Sequence, residues 1–120
     1  HEGPQSFRNR IDDLTTVPFA PGMVTSDEPG LYVTDKYGIR CENMILTVVD
    51  RETEFGRFLR FDTVTLFPFD INLIEISMLN DDEVKWINEY HKKVYDSLAP
   101  SLNEKETAWL AAKTQPISRK

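Results

Sequence analysis

The sequence predicts an α+β fold in which antiparallel strands are followed by two helices. Between residues 23 and 76, short runs rich in β-branched, aromatic and aliphatic side chains alternate with Pro, Gly and Asp turn signals. From Asn80 onward, apolar residues recur at spacings of three and four, which is the period of an amphipathic helix. Pro100 then divides this helical part in two.

The first elements are predicted to be a loop and two short strands. Residues 1–22 are rich in polar residues, Pro and Gly, and Pro21-Gly22 is a turn signal. Met23–Glu28 is predicted as a strand that ends at Pro29, because proline has no amide hydrogen to give to a ladder. Leu31–Thr34 is a second strand, and Asp35–Gly38 supplies a turn.

The longest predicted strand covers Ile39–Val49. Within it, Met44–Val49 is apolar on both faces, which predicts a central strand covered on two sides. We expect a charged loop over Arg51–Gly56, a partly alternating strand over Phe58–Thr65, and another short extended segment over Ile71–Ile76.

Two helices are predicted to follow. Asn80 and Glu83 have the spacing of an N-cap with a capping box, and the apolar stripe continues to about residue 98. A second helix is expected over Glu104–Lys113, with Asn103 or Ser101 as its cap.

Composition and charge exclude several classes of function. The 120 residues carry 14 basic and 20 acidic side chains, and the formal net charge is −6. A phosphate backbone repels such a surface, so we expect no nucleic-acid partner. The longest apolar run is far too short to cross a bilayer, so we expect no membrane partner either. The length suits one domain or a piece of one.

The cysteine and the histidines give little support to nucleophilic catalysis. Cys41 is the single cysteine, so it forms no intramolecular disulfide, and we interpret it as a buried structural thiol. A nucleophilic Cys41 would need His1 or His91 as its base. His91 lies on the apolar stripe of the first helix, so we interpret it as a packed core residue.

Glu28 and Glu42 are the most informative pair of residues. Their positions are symmetric about residue 35, so antiparallel pairing around the predicted turn places them opposite each other on one face. Opposite side chains have Cβ atoms roughly 4.5–5.5 Å apart, and a proton, an arginine or a metal ion must offset the repulsion of two carboxylates there. Arg40 shares that face. It either pairs with a carboxylate or orients a metal ligand, and the spacing leaves both open.

Three segments together resemble the C-terminal part of Xaa-Pro aminopeptidases (aminopeptidase P), in the pita-bread, creatinase-like metallopeptidase family. They are His1–Ser6, Pro21–Gly30 and Tyr37–Asn43. Asn80–His91 and Thr114–Ser118 resemble the end of the large eukaryotic cytosolic form. The resemblance implies that residues 1–99 are the C-terminal portion of a pita-bread domain and that residues 100–120 are a helical extension and tail.

The resemblance implies a site with two divalent metal ions, usually manganese, held by two aspartates, a histidine and two glutamates. Glu28 matches the glutamate that ligates one metal, and Glu42 matches the one that bridges both. As catalytic residues, His1 matches a histidine that binds the scissile peptide, and Arg40 matches an arginine that contacts the ligands; Tyr32 is a further candidate contact. The implied reaction is hydrolysis of the bond between an N-terminal residue and a following proline, by a metal-activated water.

The same resemblance implies that the other three metal ligands lie upstream, because Asp12, Asp13 and Asp27 do not match them. We therefore expect this fragment alone to hold metal poorly, to be inactive, and to need the remainder of the catalytic domain. The other expected partners are peptides with proline at the second position and a second copy in a homodimer. The helical C-terminal segment would support the homodimer, because it carries Trp86 and Trp109 and has a neutral charge balance. The implied location is cytoplasmic.

Two alternatives stay open. The chain could be a catalytically inactive pita-bread module that binds a protein partner, although the retained site residues argue against it. It could also belong to a prolidase or a methionine aminopeptidase, which would share Glu28 and Glu42. The His-Glu-Gly-Pro opening and the C-terminal tail favour aminopeptidase P.

Overall fold

Five antiparallel strands precede two α-helices in residues 3–119, the part of the chain that this computed structural model describes. The predicted fold class, antiparallel strands followed by two helices, is therefore confirmed. The chain divides into a strand unit that reaches to Thr65 and a helical unit that begins at Leu66. None of the helices in the described residues is long and apolar enough to cross a membrane.

The strand unit contains a three-stranded sheet and a two-stranded hairpin. Its strands are β1 (Val24–Asp27), β2 (Gly30–Val33), β3 (Tyr37–Arg40), β4 (Asn43–Thr53) and β5 (Gly56–Thr63). The sheet has the order β1-β4-β5, and β2 pairs with β3. The predicted strands at 23–28 and 31–34 are thus confirmed, each within about two residues, as is the turn at Pro21-Gly22.

The single long strand predicted over residues 39–49 is interrupted at Cys41 and Glu42. Opposite this break lies Pro29, which accepts a hydrogen bond from the Cys41 amide at 3.0 Å. A regular antiparallel pair exchanges two hydrogen bonds, and proline has no amide hydrogen to return the second. The proline therefore ends ladder pairing on the opposite segment as well as on its own.

Strand β4 is central in its sheet, as predicted, but it is not covered on both faces. Asn43, Ile45 and Thr47 are buried, whereas Met44, on the opposite face, is 39% exposed. An apolar pattern on both faces predicts that both faces can be buried. Within the described residues, only the face with Asn43, Ile45 and Thr47 is buried.

The predicted charged loop over residues 51–56 is wrong. Strands β4 and β5 extend through most of it and leave a two-residue turn at Glu54 and Phe55. Glu52 and Arg57 lie opposite each other in the ladder, with Oε1 and Nε 2.7 Å apart. Charges of opposite sign face each other across the two strands, so this charged run is compatible with a hairpin.

The predicted extended segment over residues 71–76 is also wrong, because it forms two 3₁₀ turns, Ile71–Leu73 and Ile76–Met78. The Asp70 side chain accepts a hydrogen bond from the Asn72 amide, and the Glu75 side chain accepts one from the Ser77 amide. Carboxylates that bind nearby amides in this way favour turns over strands.

Both helices match the prediction closely. Helix α1 spans Asp81–Leu98 and helix α2 spans Glu104–Lys113. Each begins with a complete capping box, in which an asparagine N-cap and a glutamate three residues later satisfy each other's backbone amides. Asn103 rather than Ser101 is the second cap.

The core of the helical unit lies where the two helices meet. Tyr90 and Val94 of α1 and Leu110 of α2 are its buried members. Leu66, Phe69, Tyr95, Leu98 and Leu102 pack against them. Burying a side chain such as Leu110 stabilises the fold by roughly 1.5–3 kcal/mol.

Candidate metal centre

One antiparallel register brings Glu28 and Glu42 together. The β1–β4 ladder and the β2–β3 ladder share the same symmetry about residue 35. Glu28 and Glu42 lie between the two ladders and therefore face each other, which confirms the predicted register. The ladder pairs that flank them are Asp27 with Asn43 and Gly30 with Arg40.

Arg40 contacts both carboxylates. Its Nη1 atom lies 3.0 Å from Glu28 Oε2 and 3.6 Å from Glu42 Oε2. Glu28 is largely shielded, with 16% of its side chain exposed, while Glu42 and Arg40 are about half exposed. A guanidinium in this place offsets the repulsion between two facing carboxylates. The contact is consistent with both hypotheses for Arg40, namely that it is an ion-pair partner and that it orients metal ligands.

Tyr32 holds the other edge of the Arg40 guanidinium. Arg40 Nε donates a hydrogen bond to the Tyr32 hydroxyl at 2.8 Å, and the guanidinium carbon lies 5.9 Å from the centre of the tyrosine ring. The hydrogen bond to Tyr32, followed by the nearby carboxylates, raises the pKa of Arg40 above its ordinary value. Arg40 is therefore a fixed positive charge beside the two glutamates.

Two glycines make room for the Tyr32 ring. A Cβ added to Gly30 would lie 2.5 Å from the Tyr32 hydroxyl oxygen, and one added to Gly38 would lie 2.8 Å from ring atom Cδ1. Gly38 is the ladder partner of Tyr32. The ring thus lies flat over both backbones, and this brings its hydroxyl to Arg40. Sequence analysis missed this role, although glycines two residues before and directly opposite a tyrosine are a readable signal.

Ser26 is a second residue that sequence analysis missed. Its hydroxyl donates a hydrogen bond to Glu28 Oε1 at 3.0 Å. The available signal was its position two residues before Glu28, which puts both side chains on one face of an extended segment.

The donor set fits a hard divalent cation but is incomplete within residues 3–119. Carboxylate oxygens suit magnesium, calcium and manganese. Glu28 and Glu42 face each other with their oxygens beside a common cation, Arg40. In the described part of the chain, however, no three His, Cys, Asp or Glu residues come together to hold a metal ion. His1, the predicted substrate-binding histidine, lies outside the described residues.

Cys41 is exposed, so its prediction as a buried thiol is wrong. It lies at the break between β3 and β4, where the chain has left one ladder and not yet entered the next. Partial burial of the thiol and the negative charge of Asp27 raise its pKa. A raised pKa lowers the thiolate fraction at neutral pH, so the site does not favour cysteine nucleophilic catalysis.

His91 is a core residue, as predicted. Its side chain is fully buried, and Nε2 accepts a hydrogen bond from the Phe69 amide at 3.1 Å. Nδ1 is buried and has no hydrogen-bond partner among residues 3–119. Burial lowers the pKa of His91, which favours the neutral ring.

Two family models match the chain in succession. The model described as metallopeptidase family M24 matches residues 1–48, and the model of the C-terminal region of peptidase M24 matches residues 57–117. The first of these matches contains both glutamates and Arg40.

Similar proteins include a probable Xaa-Pro aminopeptidase P from Aspergillus flavus, 44% identical over 99% of this chain. Aminopeptidase P1 from Arabidopsis thaliana is 40% identical over 98% of it. The chain spans about a fifth of the length of these curated relatives, 19% in both cases.

A similar solved structure is X-prolyl aminopeptidase from Caenorhabditis elegans, described as a cytosolic enzyme with a di-nuclear active site. The likeness has a TM-score of 0.74 at 33% identity, and it covers 82% of this chain and 17% of that one.

Proposed function

The chain belongs to metallopeptidase family M24, and from this premise we propose that it is the C-terminal segment of a dinuclear Xaa-Pro aminopeptidase. Its fold is the C-terminal part of the pita-bread fold, as the likeness to the worm enzyme indicates. The observation that carries the proposal is the facing pair Glu28 and Glu42, held on one face beside Arg40. The names of the fungal and plant relatives support the substrate class.

In this proposal Glu28 and Glu42 are metal ligands, and His1 binds the scissile peptide. When bound, two divalent ions, which we propose to be Mn²⁺, polarise the peptide carbonyl and lower the pKa of a bound water. Arg40 holds the two carboxylates side by side, and Tyr32 fixes the orientation of Arg40. The remaining ligands come from a preceding part of the same protein.

The organisation and partners of the whole protein are part of the same proposal. Residues 1–99 complete the pita-bread domain, and residues 100–120 form a helical extension and tail. The partners are the rest of the catalytic domain, peptides with proline at the second position, and a second copy in a homodimer. Trp86 and Trp109 are 45% and 49% exposed, which makes them available for such a dimer. A cytoplasmic location is supported by the description of the worm enzyme.

The test is peptide hydrolysis by the full-length protein. We expect cleavage of an Xaa-Pro-Xaa tripeptide but not of its Xaa-Ala-Xaa analogue, loss of cleavage with a chelator, and recovery with Mn²⁺. Glu42→Gln should abolish turnover because it removes one of the proposed ligand charges. Glu52→Gln is the matched control, since Glu52 is an exposed, ion-paired glutamate on the β4–β5 hairpin.

Four outcomes would contradict the proposal. Near-wild-type turnover of Glu42→Gln with saturating metal would remove Glu42 from the site. Cleavage restricted to Xaa-Pro dipeptides would indicate a prolidase, and cleavage after an N-terminal methionine without need for proline would indicate a methionine aminopeptidase. Metal binding without hydrolysis of any of these peptides would favour the inactive interaction module.

A further inference from the structure

We propose that Ser26 is a positioning residue that fixes the orientation of the Glu28 carboxylate toward Glu42. This inference rests on the proposed function, because it concerns the same metal site. It adds to that function a residue that touches neither metal nor substrate and acts through Glu28.

The two oxygens of Glu28 have different partners. Oε1 accepts a hydrogen bond from the Ser26 hydroxyl at 3.0 Å, and Oε2 lies 3.0 Å from Nη1 of Arg40. The same Nη1 atom lies 3.6 Å from Oε2 of Glu42. Ser26 therefore occupies one oxygen and leaves the other beside Arg40 and Glu42, where a shared cation would need it.

Ser26 can impose this orientation because it lies in a regular strand and Glu28 does not. Ser26 pairs with Met44 inside the β1–β4 ladder. Glu28 lies between the two ladders, next to Pro29, where the strand pairing is broken. The terminal torsion of a glutamate is broad, so its carboxylate rotates readily unless hydrogen bonds hold it. The Ser26 hydroxyl supplies such a bond from within the β1–β4 ladder.

Partners that hold a ligand in place raise metal affinity, because the bound orientation then costs less to adopt. Loss of such a partner lowers metal affinity by roughly 10- to 100-fold. The Ser26 hydroxyl is such a partner of Glu28, and we expect its loss to lower metal affinity to the same extent.

The chain offers a matched control for the same chemistry. Ser77 Oγ donates a hydrogen bond to Glu75 Oε1 at 2.6 Å, and this serine also lies two residues from its glutamate. Glu75 caps a 3₁₀ turn in the helical unit, and within residues 3–119 it forms no ion pair with an arginine. A serine–glutamate bond of the same type can thus be removed away from the proposed site.

The experiment measures the Mn²⁺ dissociation constant of the full-length protein by chelator competition, together with kcat and KM. Ser26→Val and Ser26→Thr form the main pair, because both side chains are β-branched, suit a strand and have nearly the same shape. Ser26→Val lacks the hydroxyl, and Ser26→Thr keeps it. We expect Ser26→Val to raise the dissociation constant by roughly 10- to 100-fold. Ser26→Thr and Ser77→Ala should stay within about twofold of the wild type.

Melting temperature in chelator separates positioning from folding. We expect Ser26→Val and Ser26→Thr to melt together without metal and to differ only in metal affinity. Equal dissociation constants for the two Ser26 variants would overturn the proposal, and so would a wild-type protein that binds no Mn²⁺. If the wild type binds Mn²⁺ but cleaves no Xaa-Pro peptide, the proposed function fails, and the dissociation constants still decide the role of Ser26.

Discussion

The substitution Glu42→Gln distinguishes a metal ligand from a structural ion-pair partner, because the two hypotheses predict different effects on the free energy of unfolding. The substitution keeps the size of the side chain and removes its charge. If Glu42 binds a metal ion, the substitution should lower the free energy of unfolding mainly when metal is present. If Glu42 only pairs with Arg40, at 3.6 Å, the free energy of unfolding should fall without metal as well.

The metal-free effect is expected to be small. Two carboxylates about 5 Å apart repel by roughly 3 kcal/mol at an effective dielectric constant of 20 and by about 0.8 kcal/mol at 80. With 45% of the Glu42 side chain exposed, the lower figure is the better guide. Removing the Glu42 charge relieves this repulsion and also removes the attraction to Arg40, and the two effects on the free energy of unfolding partly cancel. The net change in the free energy of unfolding should therefore be about 1 kcal/mol or less.

The metal-dependent effect is expected to be larger. A ligand at 100 times its dissociation constant stabilises the folded state by about 2.7 kcal/mol. If Glu42→Gln weakens binding 100-fold, the same concentration stabilises it by only about 0.4 kcal/mol. The metal-dependent gain should thus fall by about 2 kcal/mol.

The assay is urea unfolding of the full-length protein, with chelator and with Mn²⁺, for the wild type, Glu42→Gln and the control Glu52→Gln. Retention of the full metal-dependent gain by Glu42→Gln would show that Glu42 is not a metal ligand. A loss of more than about 2 kcal/mol in chelator alone would show that the pair of Glu42 and Arg40 is structural.

Other predictions concern the surroundings of the site and the helical unit. Tyr32→Phe removes the acceptor of the Arg40 Nε–H bond and should weaken Mn²⁺ binding less than Glu42→Gln does; unchanged affinity in chelator competition would contradict this. Burial lowers the pKa of His91, so the unfolded state takes up the proton first as pH falls below about 6.5, and stability should drop by up to about 1.4 kcal/mol per pH unit. Urea midpoints at pH 7.5 and 5.5 test this, and an equal drop in His91→Gln would argue against it. Replacing Trp86 and Trp109 together by serine should shift full-length dimers toward monomers in sedimentation, and an unchanged dimer would exclude these side chains as its basis.

Much of the site geometry could be predicted from the sequence because it depends on local register. The symmetry of Glu28 and Glu42 about residue 35 follows from one turn, and an antiparallel ladder carries that symmetry along both strands. The start of each helix could also be predicted from the sequence, because each capping box lies within four consecutive residues.

The remaining features depend on contacts that periodicity does not encode. The flat position of Tyr32 arises from the absence of Cβ atoms at Gly30 and Gly38, which matters only once the hairpin has formed. Cys41 is exposed, and it lies at the interruption between β3 and β4, opposite Pro29. The 3₁₀ turns form where carboxylates bind nearby amides, against the β-propensity of the isoleucines.

The central claim is that Glu28 and Glu42 share a metal pair, and anomalous diffraction at the manganese edge tests it most directly. Crystals of the full-length protein grown with Mn²⁺ are predicted to show two anomalous peaks about 3.5–4 Å apart. The Glu42 carboxylate should lie between the peaks, and Glu28 should contact one of them. The absence of any peak beside these glutamates, with Arg40 spanning both carboxylates, would contradict the account.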